Sequence, residues 1–131
     1  MALDVLGDRW SLLILRDAMF TGGQSFRDFA ASDEGIASNV LSERLERLVA
    51  QGTLACVPDP GDGRRKLYQV TDKGWGLAPV ILEIVVWSAA HHATDAPPQL
   101  VAAISADRDG FIAGLRAAAV ARMGPVSNAL S

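Results

Sequence analysis

Residues 36–52, "IASNVLSERLERLVAQG", have the pattern of a helix with one apolar side. Apolar residues recur there at the three- and four-residue spacing of a single helix face, while the opposite face is small and polar. A glycine ends the pattern, as is common at the C-terminal end of a helix. The pattern predicts a helix at about 37–51 that buries one stripe and exposes the rest. The residues of the apolar stripe are Leu41, Leu45, Leu48 and Val49.

Shorter helical segments precede this helix. Residues 9–20, "RWSLLILRDAMF", are apolar on nearly every side, as expected of a helix at the centre of a small bundle, and residues 2–7 predict another helical segment before them. A Gly-Gly pair breaks the run, and Ser25 and Asp28 then have the spacing of a capping box. After a tight turn at 33–35 the amphipathic helix begins. A short helix, a glycine-containing turn and an amphipathic helix with a small polar start are the layout of a helix-turn-helix.

A β-hairpin is predicted directly after these helices, at about 53–71. "TLACVP" is compatible with a strand, a Pro/Gly/Asp loop occupies 59–63, and "RRKLYQVT" predicts the returning strand, with Tyr68 and Val70 on one face. Because this connection is longer than the favoured two-residue hairpin turn, we expect its tip to project.

A helix predicted at about 72–93 is too apolar to bury its whole surface in a small monomer. Large exposed apolar patches usually mark interfaces, so we expect half of this helix in the core and half against a second copy of the chain. A linker at 94–98 leads to a last helical segment, which is a second candidate for the contact. The residues predicted at a homodimer interface are Leu3, Val80, Ile84, Trp87, Phe111 and Leu115.

Length and charge limit the class of protein. A chain of 131 residues, half of them hydrophobic, can bury one core without disulfides or metals. The net charge of −3 argues against indiscriminate coating of nucleic acid, although a sequence-specific binder depends on local charge. The lone Cys56 fits a reducing cytoplasm. The apolar run "LAPVILEIVVW" is shorter than the roughly 20 residues that span a bilayer, so we expect neither a membrane segment nor a signal peptide.

The sequence contains no catalytic constellation. His91 and His92 are adjacent, so on a helix they point about 100° apart and cannot form a two-ligand metal face. Asp59 and Asp62 lie in a Pro/Gly loop and are interpreted as turn formers. We therefore predict no enzyme activity, no cofactor and no metal. The aromatic residues assigned to the core are Trp10, Phe20, Phe26, Phe29, Tyr68 and Trp87.

The chain resembles the HxlR-type family of winged helix-turn-helix transcriptional regulators, within the MarR-like superfamily. The resemblance covers about residues 2–93, and Trp87 matches the tryptophan typical of the family's long helix. Some members sense electrophiles or oxidants through a cysteine just upstream of the first helix; Cys56 lies elsewhere, so thiol sensing is not predicted. The stretches that carry the resemblance are "DVLGDRWSLLILRD" at 4–17, "SFRDF" at 25–29, "GIASNVLSERLERLVAQG" at 35–52 and "LYQVTDKGWGLAPVI" at 67–81.

The resemblance implies a mainly helical fold with a small β-hairpin wing and additional N- and C-terminal dimerisation helices. It also implies a bacterial, cytoplasmic homodimer that regulates transcription from an inverted-repeat site on double-stranded DNA, and it is compatible with an unidentified small-molecule effector. The implied division is a winged helix-turn-helix domain at 1–93, with its recognition helix at about 37–51, wing at about 53–71 and long helix at about 72–93, and a linker with a C-terminal helix at 94–131.

The polar face of the helix at 37–51 is a candidate for reading DNA, and a merely solvated face is the alternative. A helix N-terminus presents free N–H groups to phosphate, and its first turns reach base edges in the major groove. The amide of Asn39 can read adenine with two hydrogen bonds, and Ser38 and Ser42 can contact bases or phosphates.

Glu43 and Glu46 lie partly on the same side and would repel phosphate. We assign them to ion pairs within the helix, with Arg47 as partner, rather than to contacts with cytosine. Arg47 is also a candidate for the DNA backbone, although an ion pair suits its position equally. The acidic balance leaves a second hypothesis open: a winged-helix module that binds other proteins and not DNA.

In the wing, Arg64, Arg65 and Lys66 are candidates for neutralising phosphates or entering the minor groove, with an ordinary solvated turn as the alternative. The helix that precedes a recognition helix crosses the DNA backbone, which adds Arg27. Weaker candidates for the same contact are Ser11, Ser25 and Arg16, the last of which suits an internal ion pair better.

Overall fold

The computed structural model describes residues 9–31, 35–92 and 96–124. It is mainly helical with one antiparallel two-stranded sheet, which confirms the predicted fold class. Leu3, the helix predicted at 2–7 and most of the turn at 33–35 lie outside the described residues. The elements are α1 (Arg9–Thr21), α2 (Phe26–Ala30), α3 (Ser38–Ala50), β1 (Leu54–Asp59), β2 (Asp62–Val70), α4 (Asp72–Trp75), α5 (Ala78–His91), α6 (Pro98–Ala106) and α7 (Arg108–Met123).

The central helix is α1, and Leu15 within it is completely buried. It ends at Thr21 because Gly22 has a φ of 79°, in the left-handed region that glycine adopts without strain. The predicted capping box then starts α2. The Asp28 N–H donates to Ser25 Oγ and the Ser25 N–H donates to Asp28 Oδ2, each over 3.1 Å.

The apolar stripe of α3 packs into the core as predicted, and Val49 lies half-buried beside it. After the helix, Gly52 adopts a φ of 81°. The Lys73 ammonium donates to the Gln51 carbonyl oxygen over 2.7 Å, which places a cation at the negative end of α3. The fully buried residues of the stripe are Leu41, Leu45 and Leu48.

The predicted hairpin is present, but its turn is shorter than expected. The last regular pair joins Pro58 to Lys66, and Asp59 then pairs directly with Asp62. Residues 60–61 alone therefore connect the strands, and the prediction of a longer loop is wrong.

Both aspartates of the turn act as turn formers, as predicted. Asp59 Oδ1 accepts a hydrogen bond from the Gly61 N–H at 2.8 Å, and Asp62 Oδ1 accepts one from the Arg64 N–H at 3.1 Å. These local bonds let the strands extend into the segment expected to be a loop. Residues 63–65 have no partner in the register and form a bulge in β2.

The segment predicted as one helix at 72–93 forms two helices, so the prediction of a continuous helix is wrong. Pro79 lies in the first turn of α5, where its missing N–H interrupts no helical hydrogen bond of α5. The same missing N–H cannot donate back to Trp75, so α4 does not continue into α5.

Gly74 brings α4 close to the base of the hairpin. The Gly74 N–H donates to Thr71 Oγ1 over 3.1 Å, which caps the short helix. A Cβ at Gly74 would overlap the carbonyl oxygen of Thr53 and lie 2.8 Å from Val70 Cγ1. The approach therefore requires a residue without a side chain.

The stretch Asp72–His91 is long and apolar enough to cross a membrane by length and composition alone, with a mean hydropathy of 1.3. This is weak evidence, because the core helix of a soluble protein passes the same test. The stretch is divided between α4 and α5, and Ala78, Ile81 and Leu82 of α5 are buried.

The C-terminal segment also forms two helices, α6 and α7, rather than one. Ile104 of α6 and Ala119 of α7 are 1% and 2% exposed. A Cβ at Gly22 would lie 3.1 Å from the Cα of Ala119, so α7 packs directly on the turn after α1. The Arg122 guanidinium donates to the Thr21 carbonyl oxygen over 2.7 Å at the same place. The two helices therefore complete the core of the domain.

The aromatic residues divide between core and surface. Phe29 is buried and meets the Tyr68 ring edge-on at 6.2 Å between centroids. Trp75 is also buried, although the sequence prediction did not include it. Phe26 and Trp87 are 37% and 56% exposed, which contradicts their assignment to the core. Phe26 opens a five-residue helix whose inward position belongs to Phe29, and Trp87 lies on α5 away from its buried face.

Candidate nucleic-acid interface

The three predicted base-reading residues share the exposed side of α3. Ser38 and Asn39 open the helix and Ser42 follows one turn later, all three exposed, while the leucines of the helix point into the core. Ala37 precedes the helix and supplies no side-chain cap, so the first N–H groups of α3 are available to an anion. Their role in reading bases stays a prediction.

Glu43 is neutralised within α3, as predicted, whereas Glu46 forms no ion pair with a residue that the structure describes. Glu43 pairs with Arg47 at 2.7 Å, one helical turn away, and also with the adjacent Arg44. Slight desolvation raises the pKa of Glu43, but the hydrogen bonds and charges of the two arginines outweigh it and hold that pKa below its ordinary value. Arg47, a predicted backbone contact, therefore already has an anionic partner.

Glu46, in the C-terminal half of α3, is exposed, and its charge acts on Tyr68 in the wing. Burial raises the pKa of the Tyr68 hydroxyl, and the neighbouring Cys56 and the charge of Glu46 raise it further. Tyr68 therefore remains a neutral phenol at neutral pH. Cys56 lies opposite Tyr68 in the strand register and is exposed.

The three basic residues of the wing have different surroundings. The Arg64 side chain is 94% exposed, with its Nε 3.4 Å from Asp62. Lys66 is exposed and forms no ion pair with any residue that the structure describes. Arg65 instead turns towards α2, where its Nη2 lies 2.8 Å from Asp28 Oδ2. The wing thus directs two cations outward and one inward.

On α2, Arg27 is exposed and makes no ion pair within the described ranges. It lies in the helix before α3, where a contact with the DNA backbone was predicted. Ser11 is 1% exposed and cannot reach DNA, so that prediction is wrong. Ser25 is buried and engaged in the capping box, and Arg16 pairs with Asp17 at 2.9 Å as expected.

An apolar surface follows one side of α5. Val80, Ile84 and Trp87 are 43%, 41% and 56% exposed. With Pro79, Glu83 and Arg108 they line an open groove of about 450 Å³, and the last two form an ion pair of 3.2 Å at its rim.

The predicted interface residues of α7 are less available. Phe111 is half-buried against Phe20, with ring centroids 6.1 Å apart, and Leu115 packs against the core of its own chain. His91 stacks on Trp87 at 4.9 Å between ring centroids. Within 9–31, 35–92 and 96–124, no group of three or more His, Cys, Asp or Glu residues could hold a metal ion.

Comparison with known proteins identifies the family. Residues 5–96 match the model of the HxlR-like helix-turn-helix family. The chain belongs to the HxlR-like helix-turn-helix family. It is therefore a helix-turn-helix transcriptional regulator and not an enzyme, and its family implies binding to DNA.

Relatives agree with this assignment. The chain is 37% identical over 87 residues to the uncharacterised HTH-type transcriptional regulator YvaP of Bacillus subtilis, covering 66% of this chain and 80% of YvaP. It is 40% identical over 86 residues to the uncharacterised HTH-type regulator Rv3095 of Mycobacterium tuberculosis, covering 66% of this chain but 53% of the relative. The HxlR-like chain therefore spans about half the length of this mycobacterial relative.

Among solved structures, the candidate transcription factor PA1607 is similar, with a TM-score of 0.62 and 40% identity over 72% of this chain and 66% of that one. The HxlR-like match ends at residue 96, so α6 and α7 lie beyond it.

Proposed function

We propose that the protein acts as a homodimer that binds an inverted-repeat operator in a sequence-specific way. The observation that carries the proposal is the exposed polar start of α3 in the same domain as two outward cations of the wing. Phosphate contacts give affinity without sequence information, and base-edge contacts give sequence choice. The proposal assigns the first role to Arg64 and Lys66, and the second to the α3 face.

Sequence reading would fall to Asn39, with Ser38 and Ser42 on either side of it on the same face. Arg27 on α2 would anchor the backbone at the other end of the helix-turn-helix, because it is exposed and without an ion pair in the described part of the chain. Arg47 would contribute less than the sequence suggested, since a contact with phosphate requires it to leave Glu43.

The second subunit would cover the groove along α5. Val80, Ile84 and Trp87 form an apolar surface that a monomer leaves in water, and such surfaces usually mark interfaces. A twofold axis there would present two copies of α3 to half-sites about one helical turn apart. A cytoplasmic location follows from the same proposal, as is usual for transcriptional regulators, and an effector remains a prediction without an assigned site.

Selection of bound sequences from a random DNA pool, followed by titration of the selected site, tests the proposal. We expect a palindromic motif, and Asn39→Ala should relax the preference at one base position of each half-site. Gln99→Ala on α6 is the matched control, since it also removes an exposed amide but should leave the motif unchanged.

Light scattering at micromolar concentration measures the oligomeric state alongside. A folded dimer that forms no specific complex at low salt would favour the alternative, a winged-helix module for protein partners. The ion pairs of Glu43 weaken the case for that alternative, because they cancel part of the negative charge that suggested it.

A further inference from the structure

Arg65 differs from its neighbours Arg64 and Lys66 because its guanidinium contacts another element of the fold. Its Nη2 donates to Asp28 Oδ2 over 2.8 Å and to Ser25 Oγ over 3.1 Å, across 37 and 40 positions of sequence. Its Nε lies 4.0 Å from Asp59 on the facing strand. One guanidinium thus joins the wing to the capping box of α2.

The position of this contact in the hairpin makes it important for the direction of the wing tip. The base of the wing is held by backbone hydrogen bonds, because the Tyr68 N–H donates to the Gln24 carbonyl at 2.7 Å and the Gln24 N–H donates back at 3.2 Å. Regular pairing then stops at Lys66, and Arg65 lies in the bulge beyond it. A bulged segment bends and twists its strand, so side-chain contacts must set its direction.

The local charges argue against Arg65 as a source of affinity for phosphate. Two carboxylates, Asp28 and Asp59, flank one guanidinium, so the group carries a net charge of about −1 at neutral pH. Moving Arg65 to a phosphate would leave Asp28 unpaired near the DNA. Burial raises the pKa of Asp28, but hydrogen bonds from Ser25 and the charge of Arg65 outweigh it and lower that pKa below its ordinary value, so Asp28 is ionised at neutral pH.

We infer that Arg65 is a positioning residue, which holds the wing against α2 so that Arg64 and Lys66 face the DNA backbone. The inference rests on the proposed function and refines it: affinity comes from two cations of the wing, and the third sets their direction. A contact between Arg65 and phosphate is the competing assignment.

Two isosteric substitutions distinguish the two assignments by the direction in which DNA affinity changes. A positioning role predicts that Asp28→Asn weakens binding, whereas a contact between Arg65 and phosphate predicts that it tightens binding. Asp28 and Asp62 each accept one backbone N–H and pair with one wing arginine, so Asp28→Asn and Asp62→Asn remove the same charge and keep an acceptor oxygen. If Arg65 positions the wing, Asp28→Asn should weaken binding about twofold to fivefold, as expected from losing a half-exposed ion pair. Asp62→Asn should leave binding unchanged or tighten it, because Arg64 is freed. Tighter binding by both variants would overturn the inference.

Arg65→Gln gives a second criterion. A positioning role predicts that Arg65→Gln and the double variant with Asp28→Asn bind as weakly as Asp28→Asn alone, because all three break one contact. It also predicts nearly the wild-type salt dependence. A fall in the slope of log affinity against log salt by about 0.9 per wing would instead identify a phosphate contact.

Hydrogen exchange of the free protein supplies a readout that needs no DNA. Amides 63–66 should exchange faster in Asp28→Asn and in Arg65→Gln, with the α3 amides unchanged. Faster exchange in a protein that binds no DNA would support the role of Arg65 in holding the wing against α2, while refuting the proposed function. Unchanged exchange in these folded variants would refute the positioning role of Arg65, whatever their affinity for DNA.

Discussion

Neutralising the two outward cations of the wing should reduce the salt dependence of DNA binding. The change is Arg64→Gln with Lys66→Gln. Arg64 is 94% exposed at its side chain, and Lys66 is exposed beside it, so each can reach one phosphate. The inward Arg65 is left in place.

The expected size follows from counterion release. Each phosphate contact adds about 0.9 to the slope of log affinity against log salt, so four contacts in a dimer add about 3.6. Between 50 and 200 mM salt, wild-type affinity should therefore fall about 150-fold more than that of the double variant. Fluorescence polarisation with the selected operator, repeated at four or five salt concentrations, measures both slopes.

The matched control is Arg116→Gln with Arg122→Gln. Both residues lie on α7, which packs on α1 and α5, and their removal changes the net charge by the same amount. The control should lower affinity at low salt slightly and keep the wild-type slope. Equal slopes for the wing variant and the wild type would refute the assignment of phosphate contacts to the wing.

Three further outcomes concern the fold and the assembly. Gly74→Ala should lower the free energy of unfolding by about 1–3 kcal/mol through overpacking, whereas Gly114→Ala, where a Cβ meets nothing within 4 Å, should leave it unchanged or raise it; urea titration compares the two. Phe29→Ala should cost about 3–5 kcal/mol by the same measurement, and Phe26→Ala clearly less, because Phe29 is 1% and Phe26 37% exposed. Trp87→Ala should shift the dimer towards monomer in light scattering without lowering the melting temperature of the monomer, and an unchanged dimer would exclude Trp87 from the interface.

Features set by local sequence were predictable. The stripe of α3 follows from spacing within one helix, and the capping box joins residues three apart, Ser25 and Asp28. The pairing of Glu43 with Arg47 is likewise a contact of one helical turn. These interactions form within a few residues, so the sequence alone identifies both partners.

Features set by contacts between residues far apart in the chain were not predictable from the sequence. The close approach of α4 to the base of the hairpin depends on Gly74 packing against the backbone of Thr53, which lies directly before β1. Three consecutive basic residues look alike in the sequence. The acceptor that distinguishes Arg65 lies 37 positions away, on another element.

The packing of α6 and α7 has a consequence for protein engineering. A chimera cut at residue 96, the end of the family match, would carry α1 to α5 but uncover the surface that Ile104 and Ala119 fill. The turn at Gly22 would lose the helix lying on it. Specificity is therefore better transplanted by exchanging the exposed residues of α3 and the wing tip than by exchanging the region as a module.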